Sequence, residues 1–259
     1  MKSIVIYTFF DSPSSNYNLD FFVQKELSFR ENMDYIIVIN GFQCNIKFPQ
    51  IENLVILKRE NSGYDFGGHH FALEYLSMKN KTYDYYFFMN SGVIGPIMPH
   101  YVSDIHWSNI FIKKINDRVK LVGTTIVCLP SSDLGGYGPK VEGFFFMTDA
   151  FGLDLMIKEG TIFCNHPNKV SAIVNGEYGL SNCILKNGYS IDCMLHKYQN
   201  IDWRNTENWD LNRNIHPSRK NSFHGCSINP YEVIFHKWFW HGLETVNFDI
   251  IDQYVNKNT

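Results

Sequence analysis

Two short apolar runs lead into polar side chains that could hold a ligand. The run 54–57, Leu-Val-Ile-Leu, is a buried strand by pattern, and Gly63-Tyr64-Asp65-Phe66-Gly67-Gly68 follows it closely. The spacing of Phe71, Leu73 and Leu76 predicts a helix over 69–79, and Tyr85-Tyr86-Phe87-Phe88-Met89 predicts a second buried strand. That strand runs into Asn90-Ser91-Gly92 and a loop over 90–99 punctuated by Gly and Pro. Strand, glycine loop, helix and strand form a βαβ unit, and such units bind ligands at the carboxyl ends of their strands. Asp65, Asn90 and Ser91 fall at that rim, where carboxylate, amide and hydroxyl suit a ligand's hydroxyls or a cation. Structural roles stay open beside this one. Asp65 could cap the helix, the glycines could serve a turn and a close contact, and Asn90 and Gly92 could simply end a strand. Arg59, just upstream, is either a contact for an anionic ligand or a solvated or paired side chain.

These residues need a scaffold. Residues 3–10 read as a strand, 11–18 as a polar loop, 19–29 as a helix capped by Asn18 or Asp20, and 35–39 as a second buried strand. The N-terminal part therefore runs β-α-β-β-α-β, an α/β pattern with a mostly parallel central sheet flanked by helices. Further on, the pattern predicts a helix over 101–115 and strands over 119–126 and 141–148. Between those strands, 130–140 is a glycine-rich loop and a candidate lid. Helices follow over 150–158 and 170–186, the latter ended by Asn187-Gly188, then a strand over 189–195. Residues 199–229 are polar and irregular, and 232–238 is apolar, then basic and aromatic.

Composition narrows the function classes. A chain of 259 residues is long enough for a large core, and one α/β domain is the simpler division. Its net charge of −3 gives no electrostatic footprint for a nucleic-acid partner. Aromatic residues make up 16%, and exposed Tyr and Trp suit stacking on sugar and base rings. The six cysteines form no CxxC pair, which favours free thiols in a reducing compartment, hence a cytoplasmic location. Met1-Lys2 leads straight into a strand, so no leader is expected. No apolar run approaches the ~20 residues of a membrane span, and peripheral contact with a membrane stays open. The histidines, including His69, His70 and His241, show no zinc spacing.

Several motifs recur in a familiar order. Thr8-Phe9-Phe10-Asp11 closes the first strand, and Asn40-Gly41 the second. Asn61-Ser62-Gly63 precedes Gly67-Gly68-His69, Asn90-Ser91-Gly92 follows the fourth strand, and Gly176-Glu177-Tyr178-Gly179-Leu180-Ser181 precedes Asn187-Gly188-Tyr189. This order resembles the GT-A glycosyltransferases, the large inverting family that uses nucleotide-diphosphate sugars. Gly63-Tyr64-Asp65-Phe66-Gly67 and Asn90-Ser91-Gly92-Val93-Ile94-Gly95-Pro96 are more similar still to rhamnan-synthesis-type domains of bacteria, algae and viruses. Leu121-Val122-Gly123-Thr124-Thr125 and Glu232-Val233-Ile234-Phe235-His236-Lys237 look like further landmarks of that type.

The resemblance implies a single GT-A, Rossmann-like domain over 1–259. Residues 1–100 would form the nucleotide-binding half, and 101–259 the acceptor-binding half with a C-terminal closing segment. It implies a UDP- or dTDP-linked donor, a glycan acceptor, and the cytoplasm of a bacterium or of a virus-infected host cell. Glu177 takes the place of the family's catalytic carboxylate, the base that removes the acceptor's proton. Thr8, Phe9, Asn40, Arg59, Asp65, Asn90, Ser91 and Lys237 are the implied donor-binding residues. One departure matters. Asn90 and Gly92 stand where the family's metal-binding Asp-x-Asp belongs, and an amide is a poor ligand for Mg²⁺ or Mn²⁺. Asp65 with His236 could hold a divalent metal by another route, or Lys237 and Arg59 could meet the diphosphate directly. A non-catalytic nucleotide- or carbohydrate-binding domain of the same fold is the alternative. A nucleotidyltransferase would want a glycine-rich loop with Arg and Lys after the first strand, and 11–18 has none.

Overall fold

The structure is a computed structural model that describes residues 1–102, 104–135, 138–240, 251 and 253–255. Strand β1 (Ser3–Phe10) is apolar on both faces, so both must be covered. Ile4 and Ile6 enter one core cluster, while Val5, Tyr7 and Phe9 enter the other, as period-two alternation requires. Parallel partners flank β1. They are β2 (Met33–Asn40), with β3 (Leu54–Arg59) beyond it, and β4 (Tyr85–Asn90). The sheet continues through β5 (Val119–Gly123), β8 (Phe145–Asp149) and β9 (Ser190–Cys193). Its order over seven strands is β3-β2-β1-β4-β8-β5-β9, and only β8 runs against the rest. A second, two-stranded sheet pairs β6 (Ile126–Leu129) with β7 (Gly138–Val141).

The class is α/β with a mostly parallel central sheet flanked by helices, as expected. Helix α1 (Pro13–Lys25) buries Leu19 and Phe22 on one face, beside Trp107 and Phe111 of α3 (Trp107–Ile112). On the other face lie Ala72 and Leu76 of α2 (Tyr64–Met78), and Leu153 and Met156 of α4 (Ala150–Glu159). They share that face with a compound helix. One turn, α5 (Lys169–Ser171), passes into a π-helical stretch, Ala172–Glu177, and then α6 (Tyr178–Lys186). No helix among the described residues is long and apolar enough to cross a membrane.

Six elements differ from the sequence expectation. Helix α1 begins inside the expected polar loop, because the Ser12 hydroxyl caps it, accepting from the Ser15 N–H at 3.2 Å, and proline suits the first turn. Neither Asn18 nor Asp20 caps it. Helix α2 starts at Tyr64, with Gly63 as its cap at φ +69 and no side-chain cap bond, so Asp65 is not the cap. A side chain at 63 would also meet the Asn165 Cα at 2.6 Å. The strands expected over 119–126 and 141–148 each break, because the chain leaves the central sheet to form β6 and β7 and then returns. The glycine-rich segment is accordingly no free lid: Lys140 lies within β7, and the Tyr178 hydroxyl donates to Asp133 at 2.9 Å. Of the helix expected over 101–115, only α3 forms.

Two buried histidines couple this fold to pH. His69 is enclosed by the rings of Phe66, Phe88 and Phe146, and both its nitrogens lack partners. Burial pushes it down to about 3, and burial likewise pushes His236 down to about 4. Both are therefore neutral in the native state, while the unfolded chain takes up protons below about pH 6.5. Stability is full above that pH and falls as pH drops toward the folded values, by about 1.4 kcal/mol per unit for each histidine. Urea unfolding at stepped pH should show this slope, and His69→Leu should remove about one proton from it. An unchanged slope in that variant would exclude His69 as a source.

Candidate active-site cleft

A cleft of about 430 Å³ opens where Asn90 ends β4. Asp65 enters it from the first turn of α2, and Glu177 from the last residue of the π-helical stretch. Lys140 and Glu142 flank Val141 at the end of β7 and so project from one face of the extended chain. His216 and Arg219 come from the irregular C-terminal third, and Lys237 and Trp240 from the segment after α7 (Pro230–Val233).

The floor of the cleft is two buried charges, each paired outward. Lys140 Nζ donates to Glu177 Oε2 at 2.9 Å, and His216 Nδ1 donates to Glu142 Oε1 at 2.7 Å. The Lys140 and Glu142 side chains are each 4% exposed, whereas Glu177 is 30% exposed at the rim. Burial alone would raise the Glu142 carboxyl, but His216, Lys140 and Lys237 bring it down to about 2. Burial would lower the Lys140 ammonium, but Glu177 and Glu142 hold it above its ordinary value. Glycine at 143 gives Glu177 its place, since a Cβ there would stand 2.9 Å from Glu177 Cγ and push that side chain aside.

At the β4 end, Asn90 Nδ2 donates to Asp65 Oδ2 at 2.6 Å, while Asn90 Oδ1 accepts the Gly92 N–H at 2.8 Å. Burial, with the nearby charge of Glu177, raises the Asp65 carboxyl above the usual range, against the pull of Asn90 and Lys237. Lys237 Nζ lies 5.2 Å from the centre of the Phe144 ring and 4.8 Å from that of Trp240. Burial lowers its pKa, and Glu142, Glu177 and Asp65 oppose that shift. Its neighbours set its position. His236 exchanges backbone hydrogen bonds with Ile94 at 2.8 and 3.0 Å. Trp238 Nε1 donates to Asn18 Oδ1 at 2.7 Å, and Asn18 Nδ2 donates to the Ser91 carbonyl at 2.9 Å.

Of the residues singled out in the sequence, Asp65, Asn90, Glu177 and Lys237 meet in this cleft. The others lie behind it. Thr8 is buried against α2, where a side chain on Gly68 would touch its methyl. Phe9 is fully buried in the core with Leu19 and Phe22. Arg59 is a clasp: its guanidinium donates to Asn40 Oδ1, to the Ser62 carbonyl and hydroxyl, and to Asn165 Oδ1, at 2.6–3.0 Å. Asn40 is thereby engaged, and Ser91 acts through its carbonyl. His236 is buried and lines no part of the cleft. The residues present do not fit a divalent metal. The Asn90 amide is taken at both ends, His236 is not beside Asp65 in the cleft, and no metal-binding group of three such side chains occurs among the described residues.

Lys140, Glu142, His216, Arg219 and Trp240 escaped the sequence reading. Lys-Val-Glu inside an apolar stretch was a usable signal, because two charges on one strand face demand partners. His216 and Arg219 gave none.

No protein-family model matches the sequence, and no curated protein matches it. Among solved structures, the chain is similar to the mannosyltransferase PcManGT from Pyrobaculum calidifontis in complex with GDP-Man and Mn²⁺, at 13% identity and a TM-score of 0.45. That overlap covers 74% of this chain and 54% of the other, so this chain spans about half the length of the mannosyltransferase. It is also similar to A197 from STIV, at 17% identity and a TM-score of 0.31, over 60% of this chain and 68% of that one. Neither overlap is close enough to decide the chemistry of the cleft.

The Arg59 clasp predicts a stability effect. Arg59→Met should lower the unfolding free energy by about 2 kcal/mol, since it strands the buried Asn40 oxygen and breaks charged hydrogen bonds to Ser62 and Asn165. Chemical denaturation measures this; a loss below about 0.5 kcal/mol would mean the clasp is not structural.

Proposed function

We propose that this cleft transfers a sugar from a nucleotide-diphosphate donor, UDP- or dTDP-linked, to a glycan hydroxyl with inversion, as a GT-A glycosyltransferase of the rhamnan-synthesis type. The observation that carries the reading is Glu177, a rim carboxylate with one oxygen fixed by a buried ammonium. Lys140 holds Oε2, which leaves Oε1 to meet a hydroxyl. In the step, the acceptor oxygen bonds to the sugar's anomeric carbon as the bond to the donor phosphate oxygen breaks. The hydroxyl proton passes to Glu177, and the nucleoside diphosphate leaves with the bonding pair. In this reading Asp65, in the first turn of α2, meets the donor's hydroxyls, steadied by its hydrogen bond from Asn90 at the carboxyl end of β4. Residues 1–100 supply the donor side and 101–259 the acceptor side, with the C-terminal segment closing over them in a cytoplasmic enzyme.

Glu177→Gln tests this reading. Its amide cannot take the proton, so transfer should fall by about 10²–10⁴-fold while donor affinity stays unchanged. Release of nucleoside diphosphate from a panel of UDP-, dTDP- and GDP-sugars, with sugar acceptors present, is the measurement. Wild-type turnover in the variant would remove Glu177 from the mechanism. A wild-type chain that binds donors but turns none over would be the non-catalytic binding domain instead.

A further inference from the structure

In the floor Lys140 is ion-paired with Glu177, and Glu142 is hydrogen-bonded to His216. Three further cations line the cleft; Lys169 is exposed, whereas Lys237 and Arg219 are partly buried, and neither of these two forms an ion pair among the described residues. Both lie against one indole: Lys237 Nζ is 4.8 Å, and the Arg219 guanidinium carbon 5.1 Å, from the centre of the Trp240 ring. Arg219 Nε and Trp240 Nε1 are buried with no acceptor among the described residues. A buried donor without an acceptor is costly, and two such donors beside an unpaired ammonium call for a ligand with negative charge and several acceptor oxygens. Phosphate oxygens meet that demand, and arginine and lysine are the side chains that bind them best.

The carboxylates nearby do not answer it. Glu142 and Glu177 are already bonded, Asp133 accepts from the Tyr178 hydroxyl, and Asp65 is bonded to Asn90 with its carboxyl raised by burial. Position 92 adds a second observation. A Cβ on Gly92 would stand 3.3 Å from Lys237 Nζ and 2.8 Å from Asn90 Oδ1. The ammonium therefore stands over the 90–92 loop, where a side chain at 92 would project.

We propose that Lys237, Arg219 and the Trp240 indole N–H form a diphosphate site that binds its anion without a bridging divalent ion. This deepens the glycosyltransferase reading and rests on it only for the origin of the anion: the donor's diphosphate, whose growing charge these groups would offset as it leaves.

Calorimetric titration of the whole chain with inorganic pyrophosphate tests the site without turnover. Pyrophosphate should bind in EDTA, and Mn²⁺ should leave its affinity unchanged. Arg219→Gln and Lys237→Met should each weaken it about tenfold or more, the equivalent of one lost charged hydrogen bond. Trp240→Phe keeps the ring, removes the N–H and should weaken it less. A requirement for Mn²⁺, or unchanged affinity in both cation variants, overturns the proposal. Should Arg219→Gln fail to fold, as its melting curve would reveal, Lys237→Met and Trp240→Phe decide the matter. UDP and dTDP run in parallel separate a nucleotide's diphosphate, which should compete with pyrophosphate, from a free one. Pyrophosphate binding without turnover of any nucleotide sugar would sink the glycosyltransferase reading and leave the anion site standing. Turnover without pyrophosphate binding would do the reverse.

Discussion

Lys140 and Glu142 are withdrawn from water two residues apart on one strand face, and this constraint organises the cleft. A buried charge is tolerated only when it is paired, and removing one partner typically costs about 3–5 kcal/mol. Each therefore needs a counter-charge from outside its own strand. Glu177 answers Lys140 from a π-helical turn, and His216 hydrogen-bonds Glu142 from an irregular loop. Partners drawn from separate segments hold those segments in register. The small β6–β7 sheet, the compound helix and the C-terminal third meet where they do because these charges have to be answered.

A second anchor works through neutral groups. Asn18, in the middle of α1, bonds the carbonyl of Ser91 with its amide nitrogen and the indole of Trp238 with its oxygen. Asparagine is a poor helix-interior residue, so its place there reflects the cross-links it makes. Together with the Ile94–His236 pairing, it delivers Lys237 over the loop that follows β4. A lysine held this way sits in a desolvated pocket, where a charge acts on an anion more strongly than it would in water.

Arg59 and Arg219 show how alike two residues can look in a sequence and how differently they end. Arg59 neighbours the glycine loop that flags a ligand site, yet its guanidinium is consumed by Asn40, Ser62 and Asn165. Arg219 sits in a stretch with no periodicity and no motif, yet it faces the cleft against Trp240. Asn165, which helps decide the first case, lies far along the chain, beside Gly63.

What the sequence determined by itself was mostly local. Strand β1 was legible to the residue, because its continuous apolar run is a property of neighbouring positions. So were the βαβ rim that carries Asp65 and Asn90 and the helix that carries Glu177. The start of α1 was also written locally, in Ser12-Pro13, but was obscured by the polar run that follows. Tertiary structure decided the rest. Whether 119–126 stays one strand or breaks after Gly123 depends on the partner it finds in space, since either half could pair equally well by composition. Which charges line the cleft and which are tied up behind it depends on partners many residues away. Hydrophobic periodicity is a one-dimensional signal, and the satisfaction of a buried charge is a three-dimensional one.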